Sequence, residues 1–355
     1  MKIMMAGGGT AGSISPLISI YEKIKSIEPN AEFVFISTKK GIPENEILRG
    51  YSMEVIPIYG GKIRRYFDLR NISDIFLTLI GFFQALKIII NTKPDIIIGT
   101  GSYISVPVIW AGWVNRVKIL IHQQDIVPSL SNIFSINFAH KITVSFEKSL
   151  RNFPSRKTIW TGNPVKQEIL KGDPEQANQK FNLDKNLPLI LVMGGSTGSL
   201  GINTIVNQSL PELVKFAQVI VITGPEKKIQ GIASDRFKQF EFINDGMNNL
   251  LARADLVVSR AGLSSITELS ALGKLSILIP MPNTHQEKNA EYLTEHKAAI
   301  VINQLNLSPG ILIEKIETIL NSNFERNNLQ QNIQKIMKNN AADLIVGEII
   351  NLVKK

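Results

Sequence analysis

Several short stretches of this chain place glycine, serine and single charged residues where phosphate chemistry needs them. Gly7-Gly8-Gly9-Thr10-Ala11-Gly12-Ser13 follows the apolar run Lys2 to Ala6, and Pro16 suits the first turn of a following helix. Glycine lets backbone N–H groups approach a phosphate, and a helix N-terminus adds partial positive charge, so the pattern suits an anion. A tight strand-to-helix turn needs the same residues. No Gly-Lys-Ser/Thr follows, which excludes a P-loop. The device recurs as Gly194-Gly195-Ser196-Thr197-Gly198-Ser199 after Leu189 to Met193, and as Gly99-Thr100-Gly101-Ser102-Tyr103 after a strand ending at Ile98. Three such turns at C-terminal strand ends outline the kind of crevice in which open α/β sheets bind ligands.

Two further segments carry polar chemistry. In Ser259-Arg260-Ala261-Gly262-Leu263-Ser264-Ser265-Ile266-Thr267-Glu268 a serine-rich helix start bears one acid. A carboxylate there accepts hydrogen bonds from two sugar hydroxyls, although a plain surface acid has the same sequence. Thr284-His285-Gln286-Glu287-Lys288-Asn289-Ala290 sets His285, Gln286 and Asn289 on one helical opening, or simply on a solvated face.

These residues need a scaffold, and the patterning supplies one. Short β-branched runs alternate with helical stretches: Lys2–Ala6, Glu32–Ser37, Met53–Pro57, Asp95–Gly99, Lys118–His122, Lys141–Ser145 and Lys157–Trp160, then Leu189–Met193, Val219–Thr223, Phe240–Ile243, Leu256–Ser259, Ser276–Pro280 and Ala299–Ile302. Continuous apolar strands with helical crossovers predict parallel sheets covered on both faces. The 355 residues fit two such Rossmann-like α/β domains, 1–163 and 164–340, joined near Gly162-Asn163-Pro164, with 341–355 as a final helix. The absence of cysteine excludes disulfide scaffolds, thiolate metal sites and a cysteine nucleophile, and fits a reducing compartment. Met1 to Ala6 is too short an apolar stretch for a signal peptide. The greasy stretch Ile75–Ile90 falls short of the roughly 20 residues of a spanning helix, so no transmembrane segment is expected.

The net charge of +9 is uneven. Residues 1–163 hold 19 Lys and Arg against 11 Asp and Glu, whereas 164–355 hold 20 against 19. A basic half favours an anionic partner. Lys62, Arg64, Arg65 and Arg70 precede the apolar Ile75, Phe76, Leu79, Ile80, Phe82 and Phe83, which suits an anionic membrane surface; a core helix behind a solvated basic loop is the plainer reading of much of this stretch. Nucleic acid is disfavoured because the basic residues are not interleaved along an aromatic surface. A dehydrogenase is disfavoured because neither glycine loop keeps the G-x-G-x-x-G spacing with an acid about 20 residues on.

Order and spacing together resemble the MurG family nearly end to end. The resemblance rests on the glycine loop with Pro16, Gly101-Ser102-Tyr103 with Pro107, His122-Gln123-Gln124-Asp125, Gly162-Asn163-Pro164-Val165, Gly194-Gly195-Ser196, Ser259-Arg260-Ala261-Gly262 with Glu268, and Gln286 with Asn289-Ala290. It implies a GT-B fold, two Rossmann-like domains facing across a cleft. It implies an inverting transfer of N-acetylglucosamine from UDP-N-acetylglucosamine to lipid I, giving lipid II for peptidoglycan, at the cytoplasmic face of the bacterial plasma membrane, with peripheral attachment. Ser196, Thr197, Ile243, Arg260, Ala261, Gly262, Glu268, His285, Gln286 and Asn289 would bind the donor. Gly9, Thr10, Ala11, Gly12, Ser13, Gly101, Ser102, Tyr103, Asp125, Asn163 and Lys166 would bind the acceptor and its diphosphate, and the final helix would cross back to the first domain.

The departures fall in the reacting region. The family histidine ending the glycine loop is here Ser13, a hydroxyl that donates to phosphate but is a poor base near neutral pH. The acid usual after His122 is Gln123, the asparagine two further on is Asp125, and the glutamine after Ser196 is Thr197. Ser13, His122 and Asp125 are therefore the candidate catalytic groups. No Asp-x-Asp motif is present to anchor a metal, no cofactor is expected, and helix N-termini with Arg260 would stabilise the departing diphosphate. Another lipid glycosyltransferase, or a nucleotide-sugar-binding protein with weakened catalysis, are the competing readings.

Overall fold

Among the described residues thirteen strands form, most of them where an apolar run can be covered on both faces. The structure is a computed structural model describing residues 1–8, 11–39, 48–64, 68–195 and 197–354. Gly9, Thr10, Arg65 and Ser196, all singled out by the sequence, lie outside the described residues.

One unit comprises Met1–Lys166 together with Lys338–Lys355. Its strands are β1 (Lys2–Ala6), β2 (Glu32–Thr38), β3 (Glu54–Ile58), β4 (Ile96–Gly99), β5 (Lys118–Gln123), β6 (Lys141–Val144) and β7 (Thr158–Trp160). They form one parallel sheet in the order β3-β2-β1-β4-β5-β6-β7. The order reverses between β1 and β4, and at such a switch point the crossovers diverge and leave room for a ligand. The labelled helices are α1 (Ala11–Ile27), α2 (Arg70–Thr92), α3 (Ser105–Val114) and α4 (Leu130–Ser135). The C-terminal helix, Ala341–Lys354, packs against α1 in the same unit: Ile345, Val346 and Ile349 join Leu17 and Ile24 in one buried cluster, with Lys23 paired to Asp343 at 2.5 Å.

Helix α2 is built unlike the core helix that part of its sequence suggests. Its buried stripe is Thr78, Gly81, Ala85 and Ile89, while Phe76 and Phe83 are 62% and 65% exposed and Ile72, Ile75, Leu79 and Ile80 also face outward. Backbone packing explains the inversion. A Cβ on Gly81 would lie 2.0 Å from the Tyr59 carbonyl oxygen, and one on Gly61 would lie 1.7 Å from that of Asp74. Loop and helix meet main chain to main chain, so large side chains are forced to the other face. The helix runs 23 residues, with mean hydropathy 1.7 over its most apolar 18-residue window, and is, among the described residues, the one helix long and apolar enough to cross a membrane by length and composition alone. Arg64 pairs with Asp74 at 2.8 Å and with Asp68 at 3.4 Å, and Arg70 with Asp68 at 2.7 Å. Arg64 and Arg70 are thus each paired with an aspartate.

The other unit is Gln167–Met337. Strands β8 (Leu189–Met193), β9 (Gln218–Ile222), β10 (Phe237–Phe240), β11 (Leu256–Ser259), β12 (Ser276–Leu278) and β13 (Ile300–Val301) form a second parallel sheet, ordered β10-β9-β8-β11-β12-β13, with its switch point between β8 and β11. Helices α5 (Leu200–Phe216), α6 (Leu263–Leu272) and α7 (His285–Glu295) flank it. The strand expected at Phe240–Ile243 is β10, three residues earlier. Its polar residues hide the pattern: Lys238 reaches the Phe181 and Asn182 carbonyls at 2.6 and 2.7 Å, and the Gln239 amide brackets Ile229. Ile243 therefore lies in the turn beyond the strand.

Candidate active site

In the Gln167–Met337 unit, adjacent strands β8 and β11 end side by side, and each delivers a turn to the switch point. After β8 comes the Gly194–Ser199 loop. Gly198 needs to be glycine: its φ is +70°, and a Cβ would lie 2.0 Å from the Thr223 carbonyl oxygen. Lys227 donates to the Thr197 and Gly198 carbonyls, and the Asn203 amide donates to those of Thr223 and Lys227, so the loop is braced from outside. Ser199 caps α5, accepting from the Ile202 N–H. Thr197 is exposed.

After β11 comes Arg260, only 6% exposed. Its Nη1 donates to the Ile279 and Pro280 carbonyls at 3.0 and 3.2 Å, and its Nη2 to Ser199 Oγ at 2.7 Å; its Nε is buried with no partner among the described residues. Burial lowers the guanidinium pKa from its usual value, yet arginine stays charged. A buried cation whose partners are all neutral oxygens lacks a counter-charge, and an anion beside it would supply one.

Gly262 opens α6 with no side-chain cap, leaving its first N–H groups free of side-chain partners. Asn289, fully buried, donates to the Ala261 carbonyl at 3.3 Å, and Gln286 accepts from the Met281 N–H at 3.0 Å with its amide nitrogen 4.0 Å from where a Gly262 Cβ would stand. Arg260, Ala261, Gly262, Gln286 and Asn289 are thus brought together. Glu268 stands half-buried in the second turn of α6, and His285 is exposed at the start of α7. Nothing described ties Ile243 to this cluster.

In the other unit, the turns after β1 and β4 meet at the first switch point. Ser13, in the first turn of α1, donates its hydroxyl to the Gly8 carbonyl at 3.0 Å, and its own carbonyl accepts from Thr100 Oγ1 at 2.8 Å. Ala11 and Gly12 begin the same helix. Gly101 has φ +80°, and a Cβ there would lie 2.7 Å from Ser129 Oγ. Ser102 is buried and Tyr103 is partly so. The loop after β5 is wound around Gln123, whose amide donates to the Asp125 and Val127 carbonyls and accepts from Asn132 at 2.8 Å. Asp125 sits half-buried on that loop. Among the described residues no three His, Asp or Glu side chains cluster in a way that would hold a metal ion.

His122, one of the candidate catalytic groups, is enclosed by the fold. Its ring is fully buried, with Nδ1 2.9 Å from Thr143 Oγ1 and Nε2 2.9 Å from Asn163 Oδ1 and 3.2 Å from Ser145 Oγ. Burial pushes its pKa down to about 4, with the Asn163 hydrogen bond opposing. Neutral, and bonded at both nitrogens, it does not present a lone pair to an acceptor. Asn163 is likewise buried and its carbonyl oxygen committed to that ring; Lys166 is half-buried and not bonded to this network. Sequence reasoning passed over Ser199, whose signal was its N-cap position, and Lys227, which had none.

Two Rossmann-like parallel sheets in tandem, each with glycine turns at its switch point and one with a buried arginine beside them, define a glycosyltransferase of GT-B type. The sequence matches the glycosyltransferase family 28 N-terminal domain over residues 3–144 and the family 28 C-terminal domain over residues 189–346. The chain belongs to the MurG family within it. It is 36% identical over 327 residues to UDP-N-acetylglucosamine–N-acetylmuramyl-(pentapeptide) pyrophosphoryl-undecaprenol N-acetylglucosamine transferase 2 of Bacillus anthracis, covering 91% of this chain and 92% of that one. The corresponding transferase of Clostridium botulinum is 34% identical, covering 100% and 99%. The crystal structure of Acinetobacter baumannii MurG shares the fold, with a TM-score of 0.75, 21% identity and 99% of each chain covered.

Proposed function

We propose that this chain transfers N-acetylglucosamine from UDP-N-acetylglucosamine to lipid I, giving lipid II. The observation that carries the donor half is Arg260: a buried guanidinium with no carboxylate partner among the described residues, beside a glycine turn and two helix N-termini, suits a diphosphate leaving group. In this reading the Gly194–Ser199 loop, Ser196 and Thr197 included, receives the phosphates. Glu268 accepts the ribose hydroxyls, the main chain at Ile243 meets the uracil, and Gln286 and His285 meet the sugar. Asn289 acts chiefly by holding the Ala261–Gly262 turn.

The acceptor diphosphate belongs to the turns holding Gly9 to Ser13 and Gly101 to Tyr103, with Lys166 supplying charge. Asp125 is the base, since Ser13 donates to its own loop and His122 is enclosed. Asp125 takes the acceptor hydroxyl proton as that oxygen attacks the anomeric carbon. The bond from that carbon to the diphosphate breaks on the opposite face, and UDP leaves with the electron pair.

Attachment to the cytoplasmic face of the plasma membrane is peripheral. It is supported by the outward apolar face of α2 and by the excess of basic residues in the first 163 positions. Because Arg64 and Arg70 are paired with aspartates, the apolar face contributes more than the basic stretch before it.

Calorimetric titration with UDP-N-acetylglucosamine tests the donor site. Glu268→Ala is expected to lose tenfold or more in affinity, as about 1.5–3 kcal/mol of charged hydrogen bonding goes. An unchanged dissociation constant would remove Glu268 from the site.

A further inference from the structure

A cavity of about 90 Å³ lies within the first unit, lined by Thr78 of α2, Tyr103, Val106 and Trp110 at and within α3, and Leu130 and Phe134 of α4. Beside it Gly60 and Gly61 let the loop after β3 pack closely on Ile104 and Asp74. Ser131 and Tyr103 also line the cavity, and two of the wall's polar side chains are bonded to their neighbours. Trp110 Nε1 donates to the Phe134 carbonyl at 3.1 Å; Thr78 Oγ1 donates to the Asp74 carbonyl at 2.8 Å and accepts from the Gly61 N–H at 3.2 Å. A roomy site lined mainly by Ile63, Val106, Leu130, Phe134 and aromatic faces favours hydrocarbon over water.

The position of the cavity selects the hydrocarbon. Its wall includes Tyr103, directly after the Gly101–Ser102 turn that follows β4. It also includes Phe134, 40% exposed, and Thr78 of α2, the helix whose outer face is apolar. A ligand reaching from Tyr103 to Phe134 carries an anionic group on the turn and a greasy chain leading toward the exposed surface. The volume, well above the ~10–15 Å³ one water needs and below the ~150 Å³ of a benzene-binding cavity, suits a short branched segment.

We infer that this cavity is a subsite for the isoprenoid unit nearest the diphosphate of the lipid acceptor. The inference rests on the lipid-linked acceptor proposed above and adds to it a protein contact with the chain, so that the lipid is recognised beyond its headgroup. The bound unit fixes where the diphosphate can stand on the Gly101–Tyr103 turn.

The test compares farnesyl diphosphate with inorganic diphosphate by calorimetry, on the full chain and on Val106→Phe and Leu130→Phe, each of which fills the cavity from a different helix. The native chain is expected to bind farnesyl diphosphate at least tenfold more tightly than inorganic diphosphate. Both substitutions should erase that difference, while UDP-N-acetylglucosamine affinity reports that the other unit is intact. In transfer assays either variant should raise KM for a prenyl-linked acceptor about tenfold with kcat kept. Equal native affinity for the two diphosphates overturns the subsite even if neither variant folds, and so does a farnesyl preference that survives both substitutions. Sugar transfer by the native chain is read separately: transfer present with no farnesyl preference sinks the cavity alone, whereas transfer absent sinks the reaction.

Discussion

Arg260 Nη2 and Ser199 Oγ stand 2.7 Å apart, joining the turn after β11 to the cap of α5 across the switch point of the second sheet. The bond holds the guanidinium against the glycine loop, where a departing diphosphate would need it. Arg260→Lys keeps the charge but loses the fork that reaches Ile279, Pro280 and Ser199 together. Titration with UDP-N-acetylglucosamine should show at least a tenfold loss for Arg260→Lys and a smaller one for Ser199→Ala, which also forfeits about 1 kcal/mol of helix capping. Native affinity in Arg260→Lys would show that the fork geometry is irrelevant to the donor.

His122 makes stability depend on pH. Its pKa is lowered in the folded chain, from about 6.5 to about 4, so the unfolded chain binds the proton more readily between those values. The contribution is complete above pH 6.5 and falls away as the pH drops toward 4, on the order of 3 kcal/mol in all. Urea unfolding of native protein and His122→Gln across pH 4–7 should show the native curve falling more steeply. Parallel curves would mean that the ring accepts its proton without cost.

Membrane attachment should follow the apolar face of α2. Phe76→Ser with Phe83→Ser, both in exposed positions, is expected to cut co-sedimentation with anionic vesicles severalfold without lowering the melting temperature. Arg64→Gln with Arg70→Gln should have the lesser effect, since both arginines are already paired. The reverse ranking would make the basic stretch the anchor.

Much of the scaffold was legible because buried parallel strands leave continuous apolar runs; β1, β8 and β11 coincide with their sequence spans to the residue. The two sheets and their glycine turns followed from that. β10 escaped because Lys238 and Gln239 satisfy the main chain of neighbouring segments from an edge strand, which no periodicity announces. The outward face of α2 escaped because helical spacing shows that an apolar stripe exists but not which side is covered. What decided it was the contact of Gly61 and Gly81 with distant backbone. His122 looked catalytic by type and motif, yet its partners Thr143 and Asn163 lie 21 and 41 residues away, and only the folded sheet brings them to it.

Radiolabel transfer from UDP-N-acetylglucosamine to a lipid I analogue measures the proposed sugar transfer most directly. The native chain is expected to form labelled lipid-linked disaccharide, and Asp125→Asn to lose a hundredfold or more of that rate, within the range a positioned base supplies, while binding the donor as before. No labelled product from the native chain, with donor binding intact, would contradict the claim and leave a nucleotide-sugar-binding protein in its place.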